Sequence, residues 1–492
     1  GVLGAGGYAA WRIYGPQQVP EAPRLAVLRF ESMGETEPYF TETVADELIA
    51  HVTRMEGLEV IARASSFALE GDRATPQAAA RELNATLVLT GSVRRLADRL
   101  RVVAHLAEAP GGRQLWTEEF ERPLSEIYVL QGEIAARVAT AVGVRATTPQ
   151  GRRVDPEAYD LYVRGREIMD RDPFAAAPLF EQAVARDAEF ALAWAQLARV
   201  SMTSASARWA QSPPNTVFEP AWLEPAFAAA DRARALDPDS PLPYLTMAHA
   251  NTYIGRWNDA LEAANEAAAR GGSSGFVYAN LGYLRRAIGA TRRTAERDPL
   301  NPSPWYFLGH YCKFRGDLDC ALDAFRRDHR LDPSIPPVAV AFALHRAGRR
   351  EEALALTRQR EQDWEAAFVE NGSAPLNLEL ARAIMGEGEA PTSEELMASL
   401  NEGGHVDVLM DIFADLNRGE DATQLLPLWT DAHRPSQMFL FDVPLAPVRA
   451  HPQFWAIMER EGILDVWREV GPPDFCEREP VCEPYLGPRR AP

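Results

Sequence analysis

Three short phrases recur in the second half of this chain: GRWNDA at 255–260, GDLDCA at 316–321 and GRREEA at 348–353, each followed by leucine. A recurring unit constrains the fold more than any isolated motif, because one unit can bury its apolar face only by stacking on its neighbours. Aspartate–proline pairs place Pro238, Pro299 and Pro333 at unit ends, the last two 34 residues apart. Trp305, Leu308, Gly309, Ala321, Phe325 and Pro333 fill out one unit; Ala176, Phe180 and Ala183 belong to an earlier one, and Trp194 and Leu197 open the next. The glycine allows a tight turn between two helices, and the small alanine lets the second helix approach the first.

This pattern resembles the tetratricopeptide repeat, whose W-x2-L-G…A-x3-F…P template has the same period. The resemblance implies an all-α solenoid over 155–365, followed at 366–492 by degenerate helical repeats and a C-terminal cap. It also implies a surface for a protein or peptide partner. Two departures stand out: a Pro-rich insertion, SASARWAQSPPNTVFEPAW at 204–222, and a unit at 278–299 that is short by about two helical turns. Trp209 and Trp222 lie in or beside the insertion, outside the template, and are the candidate partner contacts. Trp194, Tyr244, Tyr278 and Trp305 hold equivalent first-helix positions and read as interhelical packing.

Ahead of the repeats the pattern changes. RLAVLRF and LEVIAR have strand length, YFTETVADELIAHVTRM spaces Phe40, Val44, Leu48 and Val52 on one helical face, and TPQAAARELN is a short helix capped by Thr75. Leu100, Val102, Ala104 and Leu106 alternate as a strand does, and EIYVLQGEIAARVATAV closes the region as a helix. The order β-α-β-α-β-β-β-α predicts a small mixed-sheet α/β domain over 21–145. VIARASSF and GSVRR, in that order, with LAVLRFESM and GRQLWTEEFER, resemble the TolB amino-terminal-like domain, related to FlgO-type domains. In that family the domain precedes tetratricopeptide repeats in the C-terminal part of membrane-bound adenylate cyclases and in CadC-type regulators. Arg29 stands where the family usually has proline, and ESMGETEP is a reduced form of its Gly/Asp-rich loop.

The opening stretch GVLGAGGYAAWRIYGP admits three readings: a phosphate loop, a secretory signal, or the end of a membrane span. Gly4, Gly6 and Gly7 have neither a preceding strand nor the acidic partner a dinucleotide loop requires, so no cofactor site is read there. Trp11 and Tyr14 suit a membrane interface and Pro16 begins a linker, so residues 1–20 are expected to be the end of a transmembrane helix and its linker. On that reading the protein is membrane-anchored through this helix, in the inner membrane, and faces the periplasm. With 51 basic against 70 acidic residues the formal charge is −19, which disfavours a nucleic-acid partner.

No catalytic constellation emerges. Ser65 and Ser66 lack a nucleophile elbow, the histidines lack metal-ligand spacing, and GDLDCALD lacks the glycine and glutamate of a calcium loop. Arg94, Arg95, Arg99 and Arg101 gather on one hairpin, where they could bind an anion or an acidic surface, or simply shield a strand edge. Cys312, Cys320, Cys476 and Cys482 allow three disulfide connectivities; adjacency favours Cys312–Cys320 and Cys476–Cys482, and buried free thiols are the alternative. The expected function is a non-catalytic binding or sensing module of a bacterial signalling or envelope protein. The rivals are a regulatory part of an adenylate cyclase with its catalytic domain upstream, and a homo-oligomeric structural subunit.

Overall fold

The computed structural model describes residues 22–145, 152–213, 216–333, 337–359, 378–402 and 405–486. The chain divides into two compact units, Gly1–Arg153 and Val154–Pro492.

The first unit contains strands β1 (Arg24–Val27), β2 (Glu31–Met33), β3 (Glu59–Val60), β4 (Leu87–Leu96), β5 (Arg99–Glu108) and β6 (Gln114–Pro123). Its helices are α1 (Pro38–Thr53), α2 (Arg63–Phe67), α3 (Pro76–Leu83) and α4 (Ile127–Val142). The sheet order is β3-β1-β4-β5-β6, with β2 also pairing with β4. Strands β1, β2 and β3 join by parallel pairing, whereas β4, β5 and β6 form an antiparallel meander. As a central parallel strand, β1 buries Leu25, Ala26 and Val27 completely. In β5 Leu100, Val102, Ala104 and Leu106 face the core while alternate residues face away, the period-two pattern read from the sequence. Gly91 leaves room for the Phe30 ring, whose carbons would lie 2.7 and 2.9 Å from an added Cβ.

The expected element order omits β2 and α2. Three exposed residues form β2, too few to alternate, and α2 spans only RASSF, too short for a helical period. Thr75 caps α3 as expected, accepting from Ala78 N at 3.2 Å.

The second unit is built from helical hairpins. Helix α5 (Pro156–Ile168) pairs with α6 (Pro173–Arg186), α7 (Ala191–Ala210) with α8 (Glu224–Leu236), and α9 (Pro241–Tyr253) with α10 (Trp257–Ala269). Then α11 (Gly275–Asn280) pairs with α12 (Leu284–Arg297), α13 (Pro302–Arg315) with α14 (Leu318–Leu331), and α15 (Val338–Arg346) with α16 (Arg350–Gln359). Within two of these hairpins a glycine on the first helix receives a phenylalanine from the second: a Cβ on Gly165 would lie 2.8 Å from the Phe180 ring, and one on Gly309 would lie 2.8 Å from Phe325 Cζ. The first-helix aromatics share a second role. Trp194 Nε1 donates to Ala188 O at 3.0 Å, Tyr244 Oη to Pro238 O at 3.4 Å and Trp305 Nε1 to Pro299 O at 3.2 Å, each pinning the start of its helix to the preceding turn.

Beyond the hairpins come α17 (Leu378–Ile384), α18 (Ser393–Ala398), α19 (Val406–Asp415), α20 (Gly419–Ala422) and a 3-10 stretch at Asp431–Phe441. Helices α21 (Ala446–Ala450), α22 (Pro452–Arg460), α23 (Ile463–Val470) and α24 (Glu483–Leu486) follow. This region shares one continuous apolar core with the hairpins from α9 onward.

One expectation is corrected. No helix among the described residues is long and apolar enough to cross a membrane; α7, at 20 residues, carries Gln196, Arg199, Arg208 and several hydroxyl side chains. The inner-membrane anchor and periplasmic location are therefore withdrawn. Residues 1–20, on which that reading rested, lie outside the described residues.

Candidate functional site

The region expected to cap the solenoid runs along the hairpin turns. Gly255, Gly282 and Gly316 each adopt positive φ between the two helices of a hairpin. A Cβ at Gly255 would lie 2.8 Å from Arg434 Nε, one at Gly282 would lie 2.9 Å from Pro473 Cβ, and one at Gly316 would lie 3.1 Å from Val443. The turn glycines thus let the C-terminal chain approach closely. Met438 N donates to Asn280 Oδ1 at 3.3 Å, Trp467 Nε1 to Leu281 O at 2.8 Å, and Tyr283 Oη to Gly471 O at 2.8 Å. These bonds gather at the end of the unusually short α11 and the turn that follows it, in the truncated unit.

Buried charges tie the same elements together. Lys313 Nζ on α13 lies 2.8 and 3.0 Å from the two carboxylate oxygens of Asp411 and 3.6 Å from Asp415, both on α19. Arg346 on α15 holds Asp442 through a bidentate pair at 2.6 and 2.7 Å and lies 3.5 Å from Asp415. Burial opposes the charge on Lys313, but Asp411, Asp415 and Asp442 outweigh it and hold the ammonium above its ordinary pKa. Asp415 is pushed up to about 7, chiefly by burial, against the opposing pull of Lys313. Burial also drives His249 down to about 4 and His310 down to about 3, so both are neutral at neutral pH.

With the turn edge covered by the chain itself, a second surface remains open. Helix α9 floors a groove of about 530 Å³ walled by α8 and α10. Phe227, Tyr244, Met247 and Ile254 supply its apolar surface. Asn251 also lines it: this residue is only 4% exposed, and its side-chain amide has no hydrogen-bond partner among the described residues. The rim carries Glu224, Asp231, Asp259, Glu262 and Glu266 against Arg234 and Arg256. Asp231 pairs with Arg234 at 2.9 Å and Glu266 with Arg270 at 2.5 Å, whereas Glu224, Asp259 and Glu262 make no ion pair among the described residues. The guanidinium of Arg270 lies 4.2 Å from the Tyr244 ring centre and that of Arg256 lies 5.9 Å from Phe227, both in cation–π contact.

The residues singled out from the sequence lie elsewhere. Trp209 and Trp222 are half-buried in the insertion's own cluster: Trp209 Nε1 donates to Thr216 O at 2.7 Å, and both rings pack on Phe218. On the sheet, Arg99 pairs with Glu121 at 2.8 Å and Arg101 with Glu119 at 2.7 Å, so β6 neutralises two arginines of the hairpin. Arg95 lies over Phe40 at 5.2 Å and its backbone N–H donates to Thr36 Oγ1; Arg94 sits beside Gly34. Cys312 is bonded to Cys320, joining α13 to α14, and Cys476 to Cys482. Among the described residues no group of three His, Cys, Asp or Glu side chains is placed to hold a metal ion. The sequence does not mark this groove, because its lining is spread over three helices. The one trace is the stripe Asp259, Glu262 and Glu266 on a single helix face.

A six-stranded mixed sheet followed by stacked helical hairpins defines the class: a small α/β domain joined to a tetratricopeptide-type helical array. No family model matches the chain. It is 32% identical over 260 residues to a Rhizobium meliloti (strain 1021) protein named "Putative adenylate cyclase 3", a match covering 50% of this chain and 43% of that one. The chain therefore spans less than half the length of the curated relative it matches. Two solved structures are similar at low identity: a human IFIT1 dimer with PPP-AAAA (13% identity, 68% of this chain and 78% of that chain, TM-score 0.37) and the P58(IPK) TPR domain (12%, 63% and 98%, TM-score 0.20).

Proposed function

We propose that this chain is a non-catalytic protein-binding module of a signalling protein, and that its helical array takes a peptide segment of a partner in the groove over α9. The observation that carries this reading is the groove's make-up: an apolar floor onto which the Asn251 amide opens, with no hydrogen bond to another described residue. The Asn251 amide opens onto the groove and can both donate to and accept from a peptide backbone laid along it. The turn edge is covered in cis, the insertion aromatics pack on one another, and cross-strand carboxylates neutralise Arg99 and Arg101 of the sheet hairpin.

Selection of a displayed dodecapeptide library against the full chain tests the reading. Binders are expected to lose at least about tenfold in affinity with Met247→Gln, which puts a neutral polar side chain of similar size on the groove floor, measured well below the variant's thermal melt. Binders indifferent to this substitution would remove the groove as the site.

A second reading is favoured by the similarity to the relative named an adenylate cyclase. On it, this chain is a regulatory region that acts on a cyclase catalytic domain of the same protein. Residues 1–492, incubated with ATP and divalent metal, are then expected to yield no cyclic AMP. Turnover above background would make the chain itself an enzyme and overturn both readings.

A further inference from the structure

We propose that the groove over α9 selects a basic segment of its partner, one that alternates arginine or lysine with aliphatic side chains; this inference rests on the groove reading above. The argument begins on α10, where Asp259, Glu262 and Glu266 fall on one face at helical spacing. Like charges three or four residues apart destabilise an isolated helix, so such a stripe needs opposite charge nearby. Glu266 is paired with Arg270; Asp259 and Glu262 make no ion pair among the described residues, although Arg256 lies on the same rim.

Helix-end electrostatics account for part of this pattern but not all of it. Asp259 is in the first turn of α10 and Glu224 opens α8, where the helix N-termini favour an acidic side chain. Glu262 sits deeper in α10, beyond the first turn, and gains nothing from the dipole. Across the groove Glu224 presents a third uncompensated carboxylate, so cations arriving from either wall would find a partner.

The floor specifies the rest of the ligand. Met247 and Ile254 are half-buried and offer apolar contact between the acidic walls, with Met247 able to adapt to side chains of different shape. Arg270 on Tyr244 and Arg256 on Phe227 already make, within the chain, the guanidinium–aromatic contact that an incoming arginine could share or displace. The Asn251 amide, able to donate and accept, would meet the backbone of an extended segment between two such side chains.

The test uses Met247-dependent binders from the displayed library. They are expected to carry net positive charge and to bind the full-length triple variant Glu224→Gln, Asp259→Asn, Glu262→Gln about tenfold more weakly, the effect of losing three surface ion pairs. Their affinity should also fall as salt is raised through the screening range. A control variant neutralising three exposed carboxylates elsewhere, Glu35→Gln, Glu56→Gln, Glu394→Gln, should bind them as the unmodified chain does; this separates local recognition from attraction to a chain of charge −19. Met247-dependent binders that are neutral or acidic, or that lose equally with both triple variants, would overturn the basic-partner inference and leave the groove reading standing. Binders that ignore Met247, or none at all, would remove the groove reading itself.

Discussion

Arg449→Met is expected to lower the stability of the second unit by about 3–5 kcal/mol, the range for breaking a buried ion pair from one side. Arg449 on α21 is fully buried. Its Nε and Nη2 donate to the Glu479 carboxylate at 2.9 and 2.6 Å, while Nη1 donates to Leu440 O at 2.9 Å and Asp442 O at 2.7 Å. The planar guanidinium lies 5.2 Å from the Phe475 ring centre, and the Arg449 carbonyl accepts from Trp455 Nε1 at 2.9 Å. Methionine keeps the volume but leaves a carboxylate and two carbonyls without donors. Lysine cannot substitute, since a single ammonium does not span a carboxylate and two separate carbonyls. Amide hydrogen exchange over residues 438–486 isolates the effect from the sheet unit. Unchanged protection in the Met variant would show that this arginine does not hold the C-terminal region in place.

Lys313→Met is the second large effect, and it should depend on pH. The substitution removes one of two cations facing Asp411, Asp415 and Asp442, at a cost of about 3–5 kcal/mol at pH values where all three are ionised. In the unmodified protein Asp415 titrates near 7 when folded, above the ordinary aspartate value. The folded state therefore binds the proton more tightly than the unfolded state. This contribution to stability is fully present below the unfolded pKa and is lost as pH rises through about 7. Without Lys313 the Asp415 proton is held more tightly still, so the variant should lose less stability in mildly acidic than in mildly alkaline buffer. Asp415→Asn leaves two cations with two carboxylates and should flatten the slope across that window. Denaturant titrations at pH values on either side of the window check both variants. Equal losses for Lys313→Met on the two sides would refute the raised pKa of Asp415.

The two units differ in how far their sequences foretell them. Strand β5 and the hairpin α13/α14 are legible because their signals are local: alternation in one, the Trp305–Leu308–Gly309 and Ala321–Phe325 spacings in the other. Strand β2 and helix α2 escaped the same reading because they are shorter than the period that would mark them. The unit built on the short α11 is visibly truncated in the sequence, but what meets it lies about 160–190 residues away: Met438 N donates to Asn280 Oδ1 and Trp467 Nε1 to Leu281 O. Trp209 and Trp222 show the converse. Falling outside the repeat template suggested exposure, yet rings that do not fit between repeat helices found partners in Phe218 and Tyr253.

The hairpin stack and the alternating sheet thus follow from residue order alone, because contacts between residues three, four or two positions apart repeat whatever the rest of the chain does. The placement of the C-terminal region along the turn glycines, the buried Lys313–Asp411 and Arg346–Asp442 pairs at separations of 98 and 96 residues, and the acidic groove over α9 were decided by tertiary structure. None of these has a period. Each depends on which surfaces remain exposed once the repeats have stacked, and stacking is what brings Lys313 and Asp411, or Phe227 and Glu262, to the same place.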